Sequence, residues 1–301
     1  MKVAAAPVKP SILPPNRLEH IQTKTKEKHM KDPFDITGRV AVVTGGLGQL
    51  GTQFTKSLAE AGAKVAIFSR RPFSHEQLSE KFPGLTDSIR VYEASVTDKT
   101  ALETATERLV SEWGVPHILV NNAGIDSKPD GSAEQNAPFE RYPQKYWDEI
   151  IDTNLTGVML TSQVVGSRMA EEGRGSIINI GSIYGLVSPN QALYAYREKR
   201  DGVPFVKAIS YAASKSGLIN MTRYLGTYWG TKKVRVNLIS FGGVKTASFD
   251  KEFIEAFLER VPMGRQAEID EYNGVIRFLA SDASSYMTGS NVVVDGGFTA
   301  W

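Results

Sequence analysis

Seven short runs rich in β-branched residues alternate with longer stretches whose apolar residues recur every three or four positions, and no other feature constrains the fold as much. The runs are "RVAVVT" (39–44), "KVAIFS" (64–69), "IRVYEAS" (89–95), "HILVNN" (117–122), "SIINIGS" (176–182), "VRVNLIS" (234–240) and "NVVVDG" (291–296). Strands this apolar are buried on both faces, as in a parallel sheet covered by helices. Between them "QFTKSLAEAGA", "TALETATERLVSEWG" and "YWDEIIDTNLTGVMLTSQVVGSRMAEEG" carry the i, i+3, i+4 spacing of crossover helices. The expected fold is α/β: one doubly wound, seven-stranded parallel sheet with helices on both faces, in a single domain over residues 32–301.

A chain of 301 residues with 41% hydrophobic content can bury a full core. Its net charge of +2 gives no global reason to expect nucleic acid or an anionic membrane as a partner. The absence of cysteine excludes disulfides, thiolate nucleophiles and thiolate-held metals, and it fits a reducing compartment. His20, His29, His75 and His117 are too scattered for a metal site. No membrane span or secretory apolar region is visible, so a cytoplasmic location is expected, with an organelle transit peptide disfavoured by Glu19 and Glu27. Residues 1–31 are rich in Pro and Lys and lack periodicity; they are expected to be a mobile arm, and Met30 is a candidate alternative start.

The first strand runs into "TGGLGQLG" (44–51) and then a helix. In that context the G-x-G-x-x-G pattern predicts a dinucleotide-binding turn of the Rossmann type. Gly45 and the following glycine permit the turn, Gly48 lets backbone approach a pyrophosphate, and Gly51 lets the helix pack on the strand. Leu47, Gln49 and Leu50 complete the cradle, and the helix N-terminus contributes N–H groups and a partial positive charge. At the end of the second strand stand Ser69 and, 19 residues beyond Gly51, Arg70, in place of the acid that would hold an NAD ribose. A guanidinium suits a 2′-phosphate, so NADP is the expected cofactor, with NAD as the alternative.

Tyr211 and Lys215 lie four apart on one helix face, after the fifth strand. A tyrosine near pKa ~10 is a poor base at neutral pH, and a nearby ammonium is expected to lower that value. Such a pair can exchange a proton with an alcohol or carbonyl while a hydride moves to or from a nicotinamide.

With these elements stand "NNAG" (121–124), "NLTG" (154–157), "GSIYG" (181–185), "YAASK" (211–215), "FGGVKT" (241–246) and "VDGG" (294–297), in an order that resembles the short-chain dehydrogenase/reductase family over roughly residues 34–301. The resemblance implies Tyr211 as general acid/base and Lys215 as phenol activator and nicotinamide-ribose ligand. It implies Ser182 as the hydroxyl that orients the substrate, and Asn154 as support for a water-linked proton relay through Lys215. It also implies cofactor contacts from Asn122, Ala123 and Gly124, from Ser95 and Val96 near the adenine, and from Val244 and Thr246. A homodimer or homotetramer, built on the long fourth and fifth helices, is implied as well.

The chain departs from the compact branch of that family at four places. The turn spacing, with Gly48 early and Gln49 where a glycine is usual, resembles the extended branch of nucleotide-sugar epimerases and dehydratases; the C-terminal motifs favour the compact branch. Phe241 replaces a usual proline, Ser95 a usual aspartate. Ser182 and Tyr211 are 29 residues apart, wider than the family's usual spacing, because of an insertion at about residues 187–207 that is a candidate substrate lid.

The insertion and its neighbourhood supply Tyr184, Gln191, Tyr194 and Arg197, with Lys199 and Arg200, groups suited to a hydroxyl-rich or anionic sugar. The pattern also looks like gluconate dehydrogenases and flagellin-sugar modification enzymes. The expected activity is oxidoreduction of a secondary alcohol and ketone on a sugar, sugar acid or nucleotide sugar. The alternatives are an epimerase or dehydratase that retains its cofactor, and a catalytically silent dinucleotide-sensing scaffold.

Overall fold

Val40 and Val42 pack into one apolar cluster, Ala41 and Val43 into another. This two-residue alternation is that of a strand buried on both faces. The strand is β1 (Val40–Thr44), and it sits inside a seven-stranded sheet with β2 (Lys64–Ser69), β3 (Ile89–Glu93), β4 (Ile118–Asn121), β5 (Gly175–Ile180), β6 (Val234–Phe241) and β7 (Asn291–Val294). All neighbours are parallel, in the order β3-β2-β1-β4-β5-β6-β7. Each expected strand forms within two residues of its expected limits.

The computed structural model describes residues 32–126, 134–202, 205–246 and 249–301. Pro33–Trp301 form one compact unit. The expected arm at 1–31 and Met30 lie outside the described residues.

Helix α1 (Gln49–Glu60) follows β1, and α2 (His75–Lys81) follows β2. Helix α3 (Lys99–Trp113) is started by Asp98, whose side chain accepts from the Ala101 N–H, and is stopped by Gly114 at φ +90. The α1 residues Phe54 and Leu58 share one cluster with Ile276 and Leu279 of α9 (Asn273–Ala280), while Leu102 and Leu109 of α3 join Val165 and Met169 of α5 (Gly157–Glu172) in the other. The two faces of the sheet are thus covered by different helices. Complete burial of a side chain such as Phe54 contributes about 1.5–3 kcal/mol.

The stretch expected as one long helix is interrupted. After α4 (Gln144–Ile151) comes a π-helical turn, Asp152–Thr156, before α5 begins. Such turns favour functional sites because they re-aim a side chain, here Asn154. The insertion is also more ordered than a plain loop: it holds a 3₁₀ turn at Gln191–Tyr194 and a short helix α6 (Ala195–Asp201), and α7 (Ile209–Tyr228) follows. Leu193 and Tyr194 join Tyr184, Phe253 and Phe257 in a separate apolar cluster with α8 (Lys251–Leu258). Tyr194 stacks on Phe253 with ring centroids 5.3 Å apart.

Because β1 has β2 on one side and β4 on the other, the chain reverses its direction of travel across the sheet there. In such folds a crevice opens beyond the carboxyl ends of those strands.

Candidate active site

A cavity of about 940 Å³ lies along this crevice, lined by the turn after β1, the ends of β2, β4 and β5, and residues of α7 and α8. At Gly45 the backbone is left-handed (φ +63), and an added Cβ would come within 3.0 Å of the Ala123 Cα. At Gly51 an added Cβ would lie 2.2 Å from the Gly45 carbonyl oxygen and 2.7 Å from the Asn122 Nδ2. Only glycine fits either place. The Asn122 amide donates to the carbonyls of Thr44 (3.0 Å) and Gly45 (3.1 Å), lacing the end of β4 to the turn. Helix α1 starts after Gly48 with no side-chain cap, so its first N–H groups stay available beside the cavity.

Leu47, Gly48, Gln49 and Leu50 line the cavity with Gly45 and Gly51. Gln49 is tolerated where a glycine is usual because it is the exposed first residue of α1, and its amide reaches the Lys245 carbonyl at 3.5 Å. Phe241, in place of a proline, packs 4.0 Å from Tyr272 between ring centroids, so it serves as part of the core.

At the end of β2 the Ser69 hydroxyl accepts from the Arg71 N–H and donates to the Arg71 carbonyl, fixing the bend that carries Arg70. Arg70 and Arg71 are both exposed on the cavity rim and form no ion pair among the described residues. Arg71 was not among the expected contacts, although "FSRRP" carries it. The Ser95 hydroxyl bonds the Thr97 hydroxyl at 2.9 Å, and Ser95 and Val96 line the wall between them. Ala123, Gly124 and Val244 also line it, Val244 held by a parallel bridge to Ala267. Thr246 is not among the lining residues, since the chain leaves the wall after Val244.

The four expected catalytic residues come together from three elements: the end of β5, α7 and the π turn. Ser182, 8% exposed, follows β5 and accepts from the Tyr184 N–H at 3.2 Å. Tyr211 and Lys215 lie on α7 and line the same wall. Lys215 donates to the Ile180 carbonyl at 2.8 Å, and its Nζ is 5.7 Å from the Tyr211 ring centroid. Asn154, buried in the π turn, accepts from the Ile125 N–H and donates to the Ile125 carbonyl, both at 2.8 Å, and donates to the Ser214 hydroxyl at 3.2 Å. It clasps the chain just after Gly124, where an added Cβ would come within 3.4 Å of its Oδ1.

The electrostatics depart from the expectation that Lys215 lowers the phenol. Burial pushes the Tyr211 phenol up first, the Asp126 carboxylate second, and a hydrogen bond with Ser182 pulls it partly back. Burial brings the Lys215 ammonium down to about 8, with Asp126 acting in the opposite sense. The protein by itself therefore holds Tyr211 protonated.

Of the residues expected to meet the substrate, Tyr184 and Tyr194 line the cavity, with their hydroxyls 3.3 Å apart. Gln191 and Arg197 do not line it. The Gln191 amide holds the backbone of Lys207, and the Arg197 guanidinium stacks 4.8 Å over Phe205 and lies 3.6 Å from Asp250. Both follow from the 3₁₀ turn and α6, which turn Gln191 toward the insertion's own backbone and Arg197 toward Phe205 and the start of α8. Asp126 and Lys207 are on the wall and were not expected. The sequence signal for Lys207 was its place four residues before Tyr211, mirroring Lys215 four residues after it.

The glycine cradle, the uncapped helix N-terminus and the arginine rim fit a dinucleotide, and the wall beyond them offers donors and a phenol to a carbonyl. Among the described residues no group of acidic or histidine side chains is arranged to hold a metal, and no helix is long and apolar enough to cross a membrane.

The family described as enoyl-(acyl carrier protein) reductase matches residues 48–299. The D-threitol dehydrogenase of Mycolicibacterium smegmatis is 31% identical over 92% of this chain and 99% of its own. The 3-oxoacyl-(acyl-carrier-protein) reductase of Thermotoga maritima is 32% identical over 87% of this chain and 98% of its own. A gluconate 5-dehydrogenase from Burkholderia cenocepacia, solved in complex with NADP and tartrate, has a TM-score of 0.76 at 28% identity, covering 90% of this chain and 98% of that one. Dehydrogenases and a reductase of this length support the compact, redox expectation over the extended-branch one that Gly48 and Gln49 raised. The chain belongs to the short-chain dehydrogenase/reductase family, NAD(P)-dependent oxidoreductases acting on CH–OH groups.

Proposed function

We propose that the chain interconverts a secondary alcohol and a ketone on a carbohydrate-derived substrate, a sugar, sugar acid or nucleotide-linked sugar, using NADP in preference to NAD and Tyr211 as general acid/base. The observation that carries this reading is the meeting of Ser182, Tyr211 and Lys215 on the wall of one cavity that also takes in the open N-terminus of α1. When bound, the nicotinamide ring supplies the carbon that gives or accepts the hydride. The turn from Gly45 to Gly51 would hold the pyrophosphate, Arg70 with Arg71 would meet the 2′-phosphate, and Asn122, Ala123 and Gly124 would contact the dinucleotide from the end of β4.

In the reductive direction Tyr211 gives its phenolic proton to the substrate oxygen, and the Ser182 hydroxyl donates to the same atom as its negative charge grows. In the oxidative direction Tyr211 takes the proton back. The Lys215 ammonium does not lower the phenol at rest; once the proton has left, it stabilises the phenolate across the 5.7 Å that separates it from the Tyr211 ring, and Asn154 keeps the backbone at Ile125 in place for the water-linked relay. The carbohydrate class is supported by the aromatic and polar wall at Tyr184, Tyr194 and Lys207, and by relatives named for threitol and gluconate.

A screen of NADPH oxidation over keto-sugars, keto-acids, steroid ketones and 3-oxoacyl thioesters, with Tyr211→Phe as control, tests the reading. Net cofactor consumption on a keto-sugar or keto-acid is expected; turnover confined to steroids or acyl ketones overturns it. A homodimer or homotetramer belongs to the same proposal: Met159 on α5 and the stacked Tyr224 and Tyr228 on α7 are exposed. A monomer by light scattering at assay concentration would refute that part.

A further inference from the structure

Lys207 is an ammonium only 9% exposed, at the point where the insertion meets α7. Its backbone is held from both sides: its N–H donates to the Gln191 Oε1 at 2.9 Å, and its carbonyl accepts from the Gln191 Nε2 at 3.3 Å. The preceding Val206 N–H donates to the Asn136 carbonyl at 3.0 Å. The Nζ, so anchored, pairs with the Asp126 carboxylate and lies 5.0 Å from the Tyr211 ring centroid. Asp126 follows Ile125, whose backbone Asn154 clasps. Each member of the pair is therefore set by a residue with a separate structural task, one in the insertion and one in the π turn.

Five charged residues are among those lining the cavity. Arg70 and Arg71 stand at the end of β2, and Lys215 is bonded to Ile180. Asp126 and Lys207 stand beside Tyr211 as a pair of opposite charges. An ammonium carries three donors and a carboxylate about four lone-pair sites, so a fixed pair of this kind offers one acceptor and one donor group side by side. That suits two neighbouring hydroxyls, one donating to the carboxylate and the next accepting from the ammonium. A substrate carboxylate would meet Asp126 as well as Lys207, and the attraction and repulsion would offset each other.

We propose that the Asp126–Lys207 pair is the specificity-determining element for the substrate's hydroxyls next to the reacting carbon, so that the preferred substrate is a neutral polyol or its ketose. This rests on the carbohydrate reading above and narrows it.

The test uses the full chain with NADP, a panel of alditols, the matching aldonates, and 2-butanol as a secondary alcohol without neighbouring hydroxyls. The unsubstituted protein favours alditols over both other classes. Lys207→Met and Asp126→Asn lower the alditol to 2-butanol ratio of kcat/KM on the order of tenfold to a hundredfold, mainly through KM, as loss of a charged hydrogen bond does. Lys207→Arg keeps most of the ratio. NADP binding by fluorescence reports that each variant is folded, and alditol binding to the unsubstituted NADP complex by calorimetry supplies a readout independent of the variants. Equal losses on alditol and 2-butanol, or an aldonate preference that Lys207→Met removes, overturn the proposal while leaving the carbohydrate reading intact. Failure of every alditol to bind or turn over overturns the proposal, and turnover confined to steroid or acyl ketones overturns the carbohydrate reading with it.

Discussion

Lys215, on α7, donates from its Nζ to the carbonyl of Ile180, the last residue of β5, at 2.8 Å. One hydrogen bond thus pins a 5%-exposed ammonium beside Tyr211, and the burial that positions it also brings its pKa to about 8.

That gives a pH profile. The charged form of Lys215 is lost as pH rises through about 8, so kcat/KM for NADPH should be level near neutrality and fall above that point. Stability should move the other way. The folded value lies below the unfolded one of ~10.4, so the buried charge costs stability at neutral pH, and the cost is relieved as pH climbs from about 8 toward ~10.4. Rate profiles and urea midpoints compared with Lys215→Met check both; a rate that stays flat through ~pH 9.5 refutes the first.

Tyr211→Phe should leave NADPH affinity nearly intact and lower turnover by roughly 10²–10⁴-fold, the usual contribution of a general acid/base. Affinity is read by fluorescence titration, turnover by cofactor oxidation. Near-normal turnover would remove Tyr211 from the chemistry.

Arg70→Ala should weaken NADP binding about tenfold to a hundredfold, the range for a hydrogen bond to a charged group, and hardly change NAD binding. Paired titrations decide it. Equal losses for the two dinucleotides would show that Arg70 does not meet a 2′-phosphate, leaving Arg71 as the next residue to substitute.

Gly51→Ala places a methyl 2.2 Å from the Gly45 carbonyl oxygen, so the turn must open. The expected cost is about 1–3 kcal/mol of stability, with loss of the thermal shift that NADP gives the unsubstituted protein. Retention of that shift would mean that the cradle is not where the dinucleotide binds.

Glu112 accepts from Arg108 of its own helix at 2.8 Å and ties α3 to β3 through Tyr92 at 2.9 Å and Arg90 at 2.5 Å, and these bonds hold its carboxyl down at about 2. A depressed carboxylate contributes stability above its unfolded value, and that contribution fades as pH falls through the folded one. Glu112→Gln should cost ~0.5–1.5 kcal/mol at neutral pH, a difference that shrinks from ~pH 4.3 down toward 2. Denaturation midpoints of the two proteins across that window measure it; a constant gap would remove the ion pairs as its cause.

Much of the site was legible as local pattern. A glycine turn between a strand and a helix, an Asn-Asn-Ala-Gly after the fourth strand and a Tyr and Lys one helical turn apart each carry their geometry in their own spacing. What was not legible involved residues whose direction depends on neighbours far along the chain. Arg197 and Gln191 had the right chemistry for a substrate, but α6 and the turn before it aim them at Asp250 and at the backbone of Lys207. Asp126 and Lys207 are 81 residues apart, and no periodicity links them.

The sequence by itself determined the seven strands and the family, because hydrophobic period and turn chemistry act over a few residues and do not depend on the rest of the chain; burial on both faces holds for the central strands, while the edge strands β3 and β7 stay partly exposed. The tertiary structure alone decided that a π turn aims Asn154 at Ile125, that burial and Asp126 hold the Tyr211 phenol protonated, and that Lys207 faces the same cavity. Those are facts about distance and solvent exclusion between segments that only meet once the sheet has formed.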